Sequence, residues 1–427
     1  MVYFSEGAAD LKIDRNRISE LIDIMLEKLG NLKRILILPP DFTRYHSYAG
    51  EITCMLYSKL KNSSYIEIMP TLGTHLPLSA GELDMMYQGI PHEIFKRHDW
   101  KNDIIRIGTI PREIIRELTD GLVDFPLHCE INKTLVEGSW DQIISVGQLV
   151  PHELIGIANF NKNIFIGVGG KDIIDKTHFI GALYGAERMM GHINSPVRKV
   201  LNYMGENFTN QLPVSYILTV RGADSNNQIV TRGIFAGNDE ECYLRGAALC
   251  QKVNIKLLKK EYKKVIAYLD PEEFKTMWVG NKAIYRTQMS IAGGGELIIL
   301  CPGIYTFGED PANDLIIRKY GYQNKEKLLK AVSENIDIAN NLATVAALIV
   351  SSPENKFKVI YGAKNISRKE LESVYCNYAS YEEVVKKYNP SELKEGENIM
   401  PDGEEIYYVS NPAQGLWAEI NRFKQND

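Results

Sequence analysis

Short apolar runs alternate with stretches of helical periodicity along the first half of the chain. Residues 35–38 form a continuous apolar run that ends at two prolines, which is typical of a buried parallel strand. Similar runs occur in YIEIMPTLGTH, DIIRIGT, DQIISVGQLVPH and NIFIGVGG, the last of which covers residues 163–170. The pattern therefore predicts five strands separated by helices, which indicates an α/β domain with a largely parallel sheet.

The second half repeats this pattern after an antiparallel pair of strands. Residues 215–239 predict two strands joined by a polar turn, and residues 240–262 predict a helix that leads out of the first domain. Strands are then predicted in VIAYLD, GGGELIILCPGI, FKVIYGAKN and EIYYVSNPAQG, with a helix that bears Lys282 after the first of them. A chain of 427 residues exceeds what one core usually serves. We predict two α/β domains with mostly parallel sheets, residues 1–264 and 265–427, with the active site in the cleft between them.

Composition and charge exclude several classes of function. A net charge of -5 offers no polycation for nucleic acid, and we interpret the densest basic stretch, residues 255–264, as the solvated side of a helix. No apolar run approaches the ~20 residues of a membrane span, and the N-terminus lacks the pattern of a signal peptide. Six scattered cysteines without a C-x-x-C pair favour buried thiols in a reducing cytoplasm. We expect a cytoplasmic protein with a small-molecule partner, and we leave a homo-oligomer open.

The glycine-rich segments do not match the common phosphate-binding loops. Residues 167–171 read GVGGK, but the first glycine of a Walker loop is Phe165 here and no Ser or Thr follows the lysine. The G-x-G-x-x-G pattern also fails, because Asp172 stands at its third glycine. We interpret Gly293, Gly294 and Gly295 as the end of a helix and a turn.

Polar side chains collect where the predicted strands end. Asp41 and Arg44 follow the first strand, and His75, His98, His152 and His178 lie at or near the ends of others. Arg44 could form a simple ion pair with Asp41 or could bind a carboxylate bidentately. The histidines lack the spacing of a preformed helical metal site, so a zinc hydrolase would need ligands gathered from separate loops.

In chain order these segments resemble the nickel-pincer lactate racemase family. The matching segments are Asp41-Phe-Thr-Arg44, Gly73-Thr-His-Leu-Pro77, His98-Asp99, Pro151-His152, Lys162 and Thr177-His178. Later segments, Asn194-Ser-Pro-Val197 and the stretch 233–239, are also similar. The resemblance covers roughly residues 30–305 and fades towards the C-terminus.

The resemblance implies an isomerase, a racemase or epimerase that acts on 2-hydroxy acids. It implies a nickel-bearing pincer nucleotide derived from nicotinic acid as cofactor, linked to Lys162, with His178 as the protein ligand to nickel. It assigns the paired acid/base roles to His75 and His152. It also assigns substrate binding to Arg44 and Lys282, and cofactor binding to Asp41, Thr43, Asn159 and Asn161.

The implied chemistry explains the need for two histidines. A carboxylate makes the neighbouring Cα–H hard to remove as a proton, so the hydrogen leaves as hydride while a base takes the hydroxyl proton. The 2-keto acid that results is planar, and hydride returned after the keto group has rotated gives the other stereoisomer. The hydroxyl then lies in a different place, so each side of the substrate needs its own acid/base group.

Two departures from the family pattern bear on the substrate. The glycine-rich run that precedes the family's lysine reads Asn159-Phe160-Asn161 here, and a Tyr-Gln pair near Lys282 reads Trp278-Val279. We expect a larger acid than lactate, an aldonate such as mannonate or gluconate that is epimerised at C2. Its additional hydroxyl groups would need polar partners, for which the candidates are Asn159, Asn161 and Asn281.

Two alternatives belong to other functional classes. The first is a zinc-dependent hydrolase that uses His75, His152 and His178 around the metal. The second is a protein that binds a sugar acid without turning it over. A binder has no use for a base on each face of its ligand, and metal content would separate the hydrolase from the nickel enzyme.

Overall fold

The computed structural model describes residues 1–224, 226 and 228–425, and the chain divides into two compact units. The first unit comprises Met1–Thr177 and Gly191–Asn254, and the second comprises His178–Met190 and Ile255–Asp427. This division lies ten residues before the boundary predicted at residues 264/265, and it gives residues 178–190 to the second unit. The helix predicted for residues 240–262 is shorter than expected, because it ends at Asn254 and a strand follows.

The first unit contains the following strands in chain order: β1 (Val2–Gly7), β2 (Arg34–Leu38), β3 (Tyr65–Ile68), β4 (Ile104–Ile110), β5 (Leu127–Asn132), β6 (Gln142–Gln148), β7 (Pro151–His152), β8 (Gly156–Ile157), β9 (Val214–Ala223) and β10 (Ile229–Gly237). The helices up to Asn254 are α1 (Arg15–Leu29), α2 (Ala49–Leu60), α3 (Ala80–Met86), α4 (Arg112–Leu118), α5 (Thr134–Glu137), α6 (Lys171–Tyr184), α7 (Ala186–Met189), α8 (Pro196–Phe208) and α9 (Glu240–Asn254). Helix α6 begins in the first unit and continues into the second, to which α7 also belongs. Short 3₁₀ helices cover Phe42–Ser47 and His92–Ile94, and a π-helix covers Asn163–Gly167.

A six-stranded sheet in the order β1-β10-β9-β6-β2-β3 forms the centre of the first unit. Strands β9, β6, β2 and β3 run parallel, whereas β1 and β10 add an antiparallel edge. The core side chains come from the apolar stripe of α1, from α2 and from the buried strands: Ile18, Ile22, Met25, Ile52, Leu56, Ile35 and Ile37. The strands predicted at residues 35–38, at YIEI and at DQIISVGQ are confirmed, as is the antiparallel pair β9–β10.

One predicted strand lies outside this sheet, and another predicted strand is a helix. DIIRIGT forms β4, but β4 pairs antiparallel with β5 in a separate two-stranded sheet. NIFIGVGG is a π-helix over Asn163–Gly167 and not a strand. Each residue of that π-helix is buried, so the run has no alternation of exposed and buried positions from which its period could be read.

The strands of the second unit are β11 (Ile255–Leu258), β12 (Tyr262–Tyr268), β13 (Ile291–Cys301), β14 (Lys358–Ala363), β15 (Asn377–Ser380), β16 (Gly396–Ile399), β17 (Glu405–Val409) and β18 (Leu416–Glu419). Its remaining helices are α10 (Met277–Gly280), α11 (Lys282–Thr287), α12 (Pro311–Tyr320), α13 (Lys325–Glu334), α14 (Ile336–Ala339), α15 (Leu342–Val350), α16 (Arg368–Ser373), α17 (Tyr381–Lys387) and α18 (Ile420–Lys424). Short 3₁₀ helices cover Gln288–Ser290 and Pro412–Gln414.

A second six-stranded sheet, in the order β15-β14-β13-β12-β17-β16, is parallel except at its β16 edge. The α/β class with mostly parallel sheets is therefore confirmed in both units. The basic stretch 255–264 is not the side of a helix, because it contains β11, which pairs with β18, and the start of β12. Gly293, Gly294 and Gly295 do not end a helix either, since they lie within β13. No helix in the described part of the chain is long and apolar enough to cross a membrane.

Candidate active site

Asp41 and His75 form a hydrogen-bonded pair on two loops of the first unit. The Nδ1 atom of His75 lies 2.5 Å from Oδ2 of Asp41, and Oδ1 of Asp41 accepts hydrogen bonds from the backbone amide and hydroxyl of Thr43. Burial alone would raise the pKa of Asp41, but its bonds to His75 and Thr43 outweigh burial and lower the pKa to about 2. Asp41 is thus an anion that accepts the Nδ1 proton, which leaves the Nε2 lone pair of a neutral His75 ring for proton transfer.

Adjacent parallel strands bring these two residues together. Strands β2 and β3 are neighbours in the sheet, and their pairing continues past their ends, where the amide of Thr71 donates to the carbonyl of Pro39 at 2.7 Å. Gly73 then turns the chain with a φ of 56°, a left-handed conformation that favours glycine. The carboxyl ends of parallel strands share one edge of a sheet, so side chains 34 residues apart in sequence become hydrogen-bonded partners.

Arg44 lies on the same turn as Asp41, within the 3₁₀ helix Phe42–Ser47. Its guanidinium group is half-buried, and it makes no hydrogen bond or ion pair with the residues that the structure describes. The simple ion pair with Asp41 that the sequence left open is therefore absent from this part of the chain. An Arg side chain in this state has all of its donors available for a carboxylate.

His152 is nearly buried in the β7–β8 hairpin that follows β6. Its Nδ1 atom accepts a hydrogen bond from the Leu154 amide at 3.2 Å and lies 3.7 Å from Oε2 of Glu153. The amide bond favours the neutral tautomer with a proton on Nε2, whereas the carboxylate favours a proton on Nδ1. Nδ1 of His152 therefore has a neighbouring partner in either neutral tautomer, the Leu154 amide in one and Glu153 in the other.

Lys162 directly precedes the π-helix Asn163–Gly167. Its side chain keeps some exposure to solvent, yet desolvation by the surrounding protein and the positive charge of Arg44 lower its pKa to about 8. The ammonium group makes no hydrogen bond or ion pair within the described residues. The π-helix also connects Lys162 to the loop of His75, because the carbonyl of Gly167 accepts the amide of Gly73 at 2.8 Å. Such a lysine is a better nucleophile at neutral pH than an ordinary one.

The loop before Lys162 has an unusual backbone. Asn159 and Phe160 both have positive φ angles, 74° and 62°, and this conformation is disfavoured for a bulky side chain such as Phe. The Phe160 ring packs between Tyr243, with centroids 5.3 Å apart, and Tyr216, with centroids 4.4 Å apart. Tertiary packing thus maintains a backbone conformation for which a glycine would need no support.

Arg198 contacts this loop from the first turn of α8. Its guanidinium group is buried, donates to the carbonyl of Ile157 at 2.7 Å and to Oδ1 of Asn161 at 2.5 Å, and lies 4.3 Å from the centre of the Tyr243 ring. The amide nitrogen of Asn161 donates to Asn202 at 2.7 Å. Both polar ends of Asn161 are therefore engaged inside the first unit, and Asn161 supports the loop.

The remaining predicted residues lie in the second unit. His178 follows Thr177 within α6, and Lys282 begins α11, with its ammonium group 6.0 Å from the centre of the Phe274 ring. Asn281 is buried, and its Oδ1 atom accepts the hydroxyl of Tyr361 at 2.8 Å. Asn281 thus takes part in a buried contact with Tyr361.

His98 has a structural environment. Both ring nitrogens are hydrogen-bonded, one to the Gly169 carbonyl at 3.1 Å and the other to the Asn132 amide at 3.0 Å. Burial lowers the pKa of His98, so the ring stays neutral at physiological pH. This histidine connects β5 with the turn before α6.

The donors of the first unit fit the implied cofactor at one point, Lys162. Its amine has a lowered pKa and no protein partner among the described residues, as formation of an amide link requires. Asp41 binds Thr43 and His75, and the cofactor-binding role that the resemblance assigns to Asp41 and Thr43 stays a prediction. In the described ranges no cluster of three or more His, Cys, Asp or Glu could by itself hold a metal ion.

Sequence reasoning did not identify Glu153 and Arg198 as residues of the site. Arg198 follows the segment Asn194-Ser-Pro-Val197 that carries part of the resemblance, and with Leu201 it has the three-residue spacing of the buried face of α8. A charged residue on an apolar helical face was the available signal. Glu153 gave no signal beyond its position next to His152.

Comparison with known proteins supports the fold described above. Residues 15–191 match the family model described as the lactate racemase N-terminal domain. A crystal structure of a protein from Thermotoga maritima is similar at 21% identity with a TM-score of 0.80, over 96% of this chain and 99% of that chain. The lactate racemase apoprotein from Thermoanaerobacterium thermosaccharolyticum is similar at 19% identity with a TM-score of 0.68, over 96% of this chain and 91% of that chain. These two likenesses show the fold. No curated protein has a significant sequence match to the chain.

Proposed function

We propose that this chain is an isomerase that inverts C2 of a 2-hydroxy acid, and the premise of the proposal is the match of residues 15–191 to the lactate racemase N-terminal domain. The observation that carries the proposal is the hydrogen bond between Asp41 and His75, which prepares Nε2 of His75 to take a hydroxyl proton. His152 is the second acid/base group, on a separate loop of the same unit.

The proton on the substrate hydroxyl passes to Nε2 of His75. Asp41 then faces an imidazolium ring, and its negative charge stabilises that ring through the short Nδ1 contact. Because the pKa of Asp41 is about 2, the carboxylate keeps this charge throughout the physiological range. His75 can therefore accept a proton without losing its orientation.

His152 returns a proton from its imidazolium form. In that form Nδ1 carries a proton and turns from the Leu154 amide towards Glu153, whose Oε2 lies 3.7 Å away. After Nε2 has given up its proton, the ring is left as the Nδ1–H tautomer, which Glu153 also favours. Glu153 thus supports the two states of His152 that take part in proton transfer.

Arg44 binds the substrate carboxylate, and Lys162 holds the cofactor. The nickel-pincer nucleotide implied by the family would be attached at Lys162, with His178 as ligand to nickel, and when bound it supplies the acceptor for the hydride from C2. Lys282 remains a proposed substrate contact.

The proposed substrate is an aldonate, mannonate or gluconate, in preference to lactate. Its support is the change of the family's Tyr-Gln pair to Trp278-Val279 near Lys282. The turn that carries Arg44 offers further polar groups, because Tyr45 and His46 are both exposed beside it. These two residues join Asn159, Asn161 and Asn281 as the candidates that bind the additional hydroxyl groups.

The test uses protein produced together with the enzymes that make the pincer nucleotide and supplied with nickel. Single stereoisomers of lactate, malate, gluconate and mannonate are incubated with it, and inversion at C2 is followed by NMR. Inversion of an aldonate but not of lactate is the expected result, and metal analysis should find nickel. Inversion of lactate alone would overturn the substrate, whereas bound zinc without any inversion would overturn the reaction in favour of a hydrolase.

A further inference from the structure

We propose that Arg198 is a positioning residue for Lys162, which it holds in place by clamping the left-handed loop at Asn159 and Phe160. The inference rests on the proposed function only in assigning a use to Lys162. The clamp itself consists of contacts within the first unit, and it can be tested without cofactor or substrate.

The first support is the choice of acceptors. A fully buried guanidinium group is expected to pair with a carboxylate, but Arg198 donates to neutral oxygens of one short segment, the Ile157 carbonyl and Oδ1 of Asn161. The Asn159 carbonyl lies 3.4 Å and 3.5 Å from its two terminal nitrogens. The guanidinium group of Arg198 therefore binds the segment that ends in Lys162.

The second support is the strain in that segment. Two consecutive residues other than glycine with positive φ, Asn159 and Phe160, need tertiary contacts to persist. One ring, Tyr243, stacks on Phe160 with an interplanar angle of 19° and also lies against the Arg198 guanidinium. Arg198, Tyr243 and Phe160 thus form one continuous stack that fixes the loop from the side of α8 and α9.

The third support is that Arg198 binds the residue that directly precedes Lys162. Lys162 follows Asn161, whose side chain Arg198 binds at 2.5 Å. The positive charge of Arg198 also contributes, after desolvation and Arg44, to lowering the pKa of Lys162. Arg198 therefore affects both the position and the charge of the same amine, while its contacts are made with the loop.

The inference is tested by measuring the pKa of Lys162 directly in protein without cofactor. Trace acetylation with acetic anhydride across pH 6–11, read peptide by peptide by mass spectrometry, gives the titration midpoint of each lysine. For the natural protein the expected midpoint is about 8. In Arg198→Met, which removes both charge and donors, the midpoint should rise towards 10.5, the value of an ordinary lysine. Acetylation at pH 8 should then fall about fivefold for the first pH unit by which the midpoint rises and about tenfold for each further unit.

Arg198→Lys separates position from charge. A lysine keeps the charge but cannot reach both the Ile157 carbonyl and Asn161, so backbone hydrogen exchange in residues 157–163 should become faster while the midpoint moves less. If Arg198→Met does not fold, hydrogen exchange of residues 157–163 in Arg198→Lys tests the inference by itself. The matched control is Arg34→Lys, since Arg34 also stacks on aromatic rings, those of Tyr65 and Trp140, but begins β2 at the opposite end from the site.

An unchanged Lys162 midpoint in Arg198→Met, together with unchanged hydrogen exchange in Arg198→Lys, would overturn the inference. A change of equal size in Arg34→Lys would also overturn it, because the effect would then be general destabilisation. C2 inversion by the natural, cofactor-loaded protein is measured separately. A raised midpoint with no inversion of any hydroxy acid would retain Arg198 as the positioning residue and remove the proposed function.

Discussion

Asp41 holds His75 through a hydrogen bond of 2.5 Å that joins the loops after two neighbouring parallel strands. Asp41 is buried, whereas the His75 side chain is 44% exposed, so the reactive part of the ring faces away from its anchor. The carboxylate selects the Nδ1–H tautomer and stabilises the imidazolium form. This pair, more than any single histidine, gives the site a group that can take a proton.

Replacing Asp41 by Asn should keep the shape of the side chain but should no longer favour the Nδ1–H tautomer of His75. The amide nitrogen of Asn can donate to Nδ1, which then leaves the proton on Nε2 and makes the ring a poor base. We expect kcat for C2 inversion to fall by about 10²–10⁴-fold with little change in KM. The ¹⁵N NMR shifts of the His75 ring should report the change of tautomer.

Asp84→Asn is the matched control for that variant. Asp84 lies 2.9 Å from Nε2 of His92, and both side chains are exposed, so this His–Asp pair resembles the first one without its burial. The control should leave kcat unchanged. An Asp41→Asn protein that keeps full activity would exclude Asp41 as the residue that orients the base.

Lys162→Met should stabilise the fold at neutral pH. Because the pKa of Lys162 falls from 10.5 to about 8 on folding, below pH 8 the ammonium is charged in both states and the folded state bears its full desolvation. This penalty decreases as pH rises from 8 to 10.5, where the folded amine loses its proton first. We expect a gain of about 1–3 kcal/mol at pH 7, reduced from the full shift because the side chain is partly exposed, and almost none at pH 10.5.

Urea unfolding of both proteins at pH 7 and pH 10.5 measures this gain. Taking the difference between variant and natural protein at each pH cancels the titration of all other groups. Lys199→Met serves as control, because Lys199 is half exposed and its nearest carboxylate is 3.7 Å away. A stabilisation that is equal at both pH values would show that added apolar packing, and not the charge, causes the gain.

Arg44→Lys should weaken substrate binding more than turnover. The charge remains, but a lysine cannot form the two parallel bonds that a guanidinium group makes with a carboxylate. We expect KM to rise roughly tenfold or more, with a smaller effect on kcat. Arg106→Lys is the control, since Arg106 is an exposed partner of Glu130 at 3.2 Å, and it should change neither constant.

Gly147→Ala should disturb the loop of Lys162 from within the sheet. A Cβ atom at residue 147 would lie 1.8 Å from Nδ2 of Asn159, so the Asn159 side chain or the loop that carries it must shift. Stability should decrease by about 1–3 kcal/mol, and the acetylation midpoint of Lys162 should change. Gly293→Ala, where a Cβ meets no atom within 4 Å, should change neither property, and an unaltered Lys162 in Gly147→Ala would contradict the coupling.

Periodicity predicted the main sheets because their strands are short apolar runs bounded by turns. It failed at residues 163–170, since a fully buried segment has no alternation of exposed and buried positions that distinguishes a strand from a helix. It failed again at residues 255–264, where pairing of β11 with β18, more than 150 residues later, overrides the local preference.

The site residues of the first unit were predicted from a family resemblance, whereas the contacts between them are visible only in the structure. No local pattern indicates that Asp41 binds His75, because this depends on which strands are neighbours in the sheet. The amide side chain of Asn161 suggested a substrate contact, and no local pattern indicated that buried Arg198 binds this side chain. Arg198 lies on the apolar face of α8, and a charged residue in such a position indicates that a polar partner is buried beside it. Sequence reasoning can use this sign.

The π-helix between Lys162 and Gly167 makes the length of this segment as significant as its composition. A π-turn contains one residue more than an α-turn, so loss of any one residue here would convert the turn and rotate the flanking side chains by about 100°. Lys162 would then point away from its present neighbours, and the bond between Gly73 and Gly167 would lose its register. Insertions and deletions, which leave the chemistry of each side chain intact, are therefore as damaging here as the loss of the lysine itself.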